Sequence, residues 1–135
     1  MYLSQLNKEE KTLFLGLAYA IATADRDYSI EEQNMIAEYC REMQVEFDEK
    51  TIIKSLDCII ETVNKISNTR VKKIFVFEAI GLAMVDKNYD DKERKIVSYM
   101  RNEFNLEKEF LQKCESAINE YIEFQNRINN LVLGE

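Results

Sequence analysis

The hydrophobic pattern along the chain has a helical period almost throughout. Leu13, Phe14, Leu17, Ala18, Ile21 and Ala24 recur three and four residues apart, behind an Asn7–Glu10 pair that reads as a capping box. Residues 25–28 break the pattern. Ser29 with Glu32 then reads as a second capping box, ahead of the stripe Met35, Ile36, Tyr39, Cys40 and Met43. Asp48 is the candidate cap of a third helix, whose stripe runs through Ile52, Ile53, Leu56, Ile59, Ile60, Val63 and Ile66. Ser67, Asn68 and Thr69 form the clearest polar break. A fourth helix is expected from about Arg70, through Val71, Ile74, Phe75, Ile80, Leu82 and Ala83. Asp90 with Glu93 caps a fifth, which carries Ile96, Val97, Met100 and Phe104. From Leu106 to beyond Ile128 the periodicity runs too long for one ordinary helix, which predicts either a break or a long terminal helix.

The pattern repeats itself. At a constant offset of 61 residues, Phe14 aligns with Phe75, Ala18 with Ala79, Ala22 with Ala83, Asp25 with Asp86, Tyr28 with Tyr89 and Glu32 with Glu93. No gap is needed, so the chain reads as a duplicated helix–acidic loop–helix unit. Each unit has apolar faces with too few partners of its own, so the two are expected to share one core across a pseudo-two-fold axis. The predicted fold is all-α: a single-domain bundle of about six to seven helices, with repeat one over about 7–66, repeat two over about 68–117 and a C-terminal helix over about 118–133. Gly16 and Gly81 are expected to sit where another element approaches closely.

Composition narrows the function classes. The net charge of −7 argues against a nucleic-acid backbone or an anionic membrane surface as partner. The longest apolar run, residues 13–24, is too short to span a bilayer and follows no basic flank, so neither membrane insertion nor a signal peptide is expected, and the chain is placed in the cytoplasm. Cys40, Cys58 and Cys114 form no close pair and there is no histidine, which disfavours a zinc site and a disulfide framework; each cysteine is expected to be a small buried side chain. Without a histidine to activate a cysteine, or a glycine loop to cradle phosphate, the chain is not expected to be an enzyme.

The acidic loops are the remaining candidate chemistry. Asp25, Asp27 and Ser29 alternate like the first EF-hand ligands, but that loop needs glycine at its sixth position and glutamate at its twelfth. Those places hold Ile30 and Ile36 here, and Asp91 and Val97 in the second copy, so neither loop is an EF-hand. Were the pseudo-symmetry to bring the loops together, Asp25, Asp27, Glu31, Glu32, Asp86, Asp90, Asp91 and Glu93 would pool all-oxygen ligands suited to Ca²⁺ or Mg²⁺. The competing reading is structural: Ser29, Asp90, Glu32 and Glu93 are capping residues, and helix N-termini attract carboxylates through the helix dipole. Tyr28 and Tyr89 are expected to fold back beside those caps.

An alanine-rich helix that ends in Ala24-Asp25, a short polar loop, a cap and a Glu31-Glu32 pair resembles the tellurite-resistance TerB family, whose fold also occurs in the N-terminal region of the DjlA co-chaperones. The second, weaker copy begins at Ala83 and Asp86. The resemblance implies an all-α bundle with internal pseudo-symmetry and acidic loops that bind metal, in a bacterial stress-response setting. Arg26 and Lys87 stand where the family commonly has glycine, and Asn88 and Lys92 stand where the first loop has Asp27 and Glu31. Two functions follow as expectations. One is a divalent-cation-responsive binding module; the other is a metal-independent adaptor, for which the resemblance permits a stress-response or phage-defence setting, that holds a protein partner or a second copy through a helix face or the C-terminal segment. Tyr121, Phe124 and Leu131 are the candidate contacts.

Overall fold

The structure, a computed structural model, describes residues 1–24, 28–85 and 89–134. A 3-10 turn, Leu3–Gln5, leads into six helices: α1 Lys8–Ala22, α2 Ile30–Met43, α3 Leu56–Ile66, α4 Thr69–Met84, α5 Asp91–Glu103 and α6 Phe110–Leu133. The described residues include no strand.

The duplication is built into the backbone. Asn7 and Asn68 cap α1 and α4, Ser29 and Asp90 cap α2 and α5, and each of these pairs is 61 residues apart. The same offset relates Gln44 (φ 57°) and Asn105 (φ 55°), the two left-handed residues among those described. Each turns the chain after the second helix of its half, a position that usually falls to glycine or asparagine.

α1 and α4 are apolar almost all round and form the centre, as a helix without a polar face must. Phe14 and Phe75 are fully buried and meet edge to face, with ring centroids 5.5 Å apart and planes at 89°. Equivalent residues therefore touch, as an approximate two-fold relation requires. Tyr39 adds a second edge-to-face contact to Phe14 at 5.3 Å. Burying either phenylalanine contributes about 1.5–3 kcal/mol. Glu10, buried, closes the α1 capping box and also accepts the Ser67 hydroxyl at 2.7 Å, which ties the start of α1 to the seam between the halves.

Two expected boundaries move. The third helix is capped by Ser55, whose hydroxyl accepts the Cys58 amide, and not by Asp48. Asp48 instead makes a tight turn, accepting the Lys50 amide at 3.0 Å, and residues 44–55 cross α1 as an irregular connector. Gly16 makes that crossing possible, because a Cβ there would collide with the backbone carbonyl of Ile53. In the second half, α6 starts at Phe110 and runs unbroken to Leu133, so no helix boundary falls near residue 118. Nothing in that stretch stops a helix, since it contains neither proline nor glycine before Gly134.

Candidate functional site

The acidic positions divide into three sets. Asp25, Asp27 and Asp86 lie outside the described residues. Glu32 and Glu93, each 1% exposed, are the return arms of capping boxes: Ser29 N–H donates to Glu32 Oε1 at 3.2 Å and Asp90 N–H to Glu93 Oε1 at 3.2 Å. Reciprocally, the Glu32 amide donates to Ser29 Oγ at 3.1 Å and the Glu93 amide to Asp90 Oδ1 at 2.9 Å. Glu31 and Asp91 are exposed in the first turns of α2 and α5, where the helix dipole favours them. Each cap pair is local to its own helix, and no group of three or more metal-ligating side chains gathers among the described residues.

The tyrosines sit beside these caps as expected. Tyr28 packs against Tyr19 at 5.9 Å, and Arg94 lies over the Tyr89 ring at 4.1 Å while pairing with Glu115. Burial pushes both phenols up. The Tyr89 hydroxyl is buried and has no hydrogen-bond partner among the described residues. Cys40 and Cys114 are buried, whereas Cys58 is exposed near the start of α3, contrary to expectation, because α3 turns that position outward. Burial pushes the Cys114 thiol up to about 11, the opposite of what a nucleophile needs.

A concave feature lies elsewhere, on the flank where α6 faces α2 across α4. It is a groove of about 650 Å³. The 61-residue offset maps it onto the flank where α3 faces α5, and the two flanks differ in kind. In the first, Tyr99 donates to Asp57 at 2.7 Å and the Asn64 amide donates to the Glu103 carbonyl at 3.0 Å, so hydrogen bonds cross the gap. What remains there is a polar recess of about 370 Å³. In the second, Ile118, Tyr121, Ile122 and Gln125 replace Asp57, Ile60, Glu61 and Asn64, and Glu38 and Glu42 replace Tyr99 and Glu103. No hydrogen bond or ion pair among the described residues crosses from α2 to α6. One flank of the duplication is closed and polar; its counterpart is open and apolar.

The groove's base is fixed by charge. The Met1 ammonium pairs with Glu42 at 3.0 Å and Glu78 at 3.1 Å, while the Tyr2 and Leu3 amides donate to Glu78 and Glu42 at 3.1 and 2.8 Å. Two carboxylates thus satisfy the open end of the 3-10 turn. Burial works against the Met1 ammonium, but its two carboxylate partners outweigh that and raise its pKa. Tyr39, buried beneath, donates to the Glu78 carbonyl at 3.1 Å, and burial holds its phenol well above the usual range. Met35 from α2 and Met84 from α4 line the walls, and Gly81 faces the opening. Gly81 was expected to be pressed by a neighbour; instead, a Cβ there would meet none of the described residues within 4 Å.

The groove was not legible as a site from composition or motif. The signal that finds it is the comparison of the halves position by position, where Asp57 and Glu61 become Ile118 and Ile122. The chain matches no protein family, no curated protein and no solved structure.

Proposed function

We propose that this chain is a non-catalytic, TerB-like interaction module of the cytoplasm that takes an amphipathic helix of a protein partner into the groove between α2, α4 and α6. The carrying observation is the divergence of the two flanks: the same position is polar and bridged in one half, apolar and open in the other. A groove with methionine walls suits a helix laid in by its apolar face, since methionine adapts its shape to what it meets. The unpaired cysteines accord with a reducing compartment, and no helix among the described residues is long and apolar enough to cross a membrane. The stress-response or tellurite-resistance setting comes from the family resemblance alone.

The test is a titration of the folded chain with amphipathic helical peptides, neutral and basic, while the Met35 and Met84 methyl resonances are followed by NMR. Perturbation of both methyls that is lost in Gly81→Leu is expected. If no peptide moves them, or Gly81→Leu makes no difference, the groove is not a docking surface.

Divalent-cation binding is a second proposal. It is carried by Asp25, Asp27 and Asp86 together with the exposed Glu31 and Asp91, because Glu32, Asp90 and Glu93 already serve the caps.

A further inference from the structure

We infer that the groove's occupant is the projecting end of α6 from a second copy of this chain, the two chains exchanging helix ends in an antiparallel α6 pair. This rests on the groove being a docking surface and goes further in naming what fills it.

Beyond Cys114, α6 has no fully buried residue, and its last turns stand clear of the bundle. Tyr121, Phe124, Ile128 and Leu131 are 46%, 51%, 41% and 78% exposed. Their spacing of three, four and three residues places them on one helix face, as anchors for a groove must be. Together they offer an apolar stripe on the order of a few hundred Å² per chain, a size of patch that is often functional. One chain therefore carries both a concave apolar groove and a convex apolar helix end, the condition for a self-complementary two-fold contact.

Charge selects this pairing over a strongly basic partner. The chain as a whole carries −7 and resists its own association through most of its surface. Residues 118–134 hold Glu120, Glu123 and Arg127 only, a net of −1. Arg127 is the one basic residue after Lys113, and it lies beside the Phe124 ring at 5.5 Å. The charges around the groove are already paired, Glu38 with Arg41 and both Glu42 and Glu78 with the Met1 ammonium, so a near-neutral helix suits it better than a strongly basic one. An antiparallel pair centred near Phe124 sets Tyr121 of each copy level with Ile128 of the other.

Gly81 is the independent sign that something enters. Glycine weakens a helix interior, and none of the described residues uses the space it leaves. Gly16, the other helical glycine, is pressed by the connector and so has an internal reason to be small. An occupant approaching α4 closely supplies the missing reason at Gly81.

The experiment is sedimentation velocity of the full chain across micromolar concentrations, for wild type, Ile128→Asp and Gly81→Leu, with thermal melts to show that each variant is folded. Wild type is expected to dimerise, and each variant to weaken the dimer at least about tenfold, as loss of a central apolar anchor does. A dimer that survives both substitutions uses another face and overturns the proposal. A wild-type chain that stays monomeric also overturns it. In that case the peptide titration separates the two readings: peptides that still shift Met35 and Met84 leave the groove as a site for a different partner, and peptides that do not remove both.

Discussion

Phe14 and Phe75, 61 residues apart in sequence, pack edge to face at 5.5 Å, so each half of the duplication supplies the same ring to the same contact. The core is shared, and neither ring is buried without the other half. Phe14→Ala and Phe75→Ala are each expected to cost about 3–5 kcal/mol, measured by denaturant unfolding. In a double-mutant cycle the double variant should fall short of the singles' sum by about 0.5–1.5 kcal/mol, since each single already loses the ring contact. Strict additivity would show that the contact is spatial only.

The two helical glycines should respond with opposite signs. Gly16→Ala forces a Cβ against the Ile53 carbonyl and is expected to destabilise by about 1–3 kcal/mol. At concentrations too low for pairing, Gly81→Ala meets open space and gains helix propensity, which predicts a stabilisation of about 0.5–1 kcal/mol. Urea midpoints at equal m-values decide both. A Gly81→Ala chain less stable than wild type would mean that the flank is packed in solution.

Ser29→Ala and Asp90→Ala each remove the outgoing half of a capping box and are expected to cost about 1 kcal/mol in thermal melts. Melts with Ca²⁺ or Mg²⁺ address the loops themselves. The caps alone predict no ion-selective shift, whereas a selective rise abolished by Asp25→Asn with Asp86→Asn would establish a cation site in the loops.

High pH should loosen the base of the groove. Burial raises the Tyr39 phenol well above its ordinary value of 10, so the unfolded chain gives up that proton first. The stability it protects is fully present below about pH 10 and falls as pH rises toward the folded value. Tyr39→Phe should lose about 1 kcal/mol at neutral pH, for the bond to the Glu78 carbonyl, yet show a flatter alkaline decline. An unchanged decline would assign the alkaline transition to other groups.

Much of this fold was readable from residues alone. Asn7–Glu10, Ser29–Glu32 and Asp90–Glu93 are capping boxes in the structure, and the 61-residue repeat holds down to the left-handed Gln44 and Asn105. The failures have physical causes. Asp48 uses the same side-chain chemistry in a turn that a cap uses at a helix, and Ile52 and Ile53 imitate a helical stripe from an irregular connector. Gly81 misled because a one-letter glycine does not distinguish a neighbour pressed against it from empty space. Tyr121, Phe124 and Leu131 are exposed as the adaptor reading requires. The acidic loops are half accounted for by their caps, with Asp25, Asp27 and Asp86 outside the described residues.

The inequality of the two flanks also determines what assemblies such a chain can build. Each flank takes its walls from both halves, the third helix of one repeat facing the second helix of the other. Doubling either half alone would re-pair those walls, setting Asp57 against a copy of Glu38 or Ile118 against a copy of Tyr99, and would reproduce neither the bridged flank nor the groove. With one flank bridged and one open, the proposed pairing has a single groove per chain to fill and so closes at two.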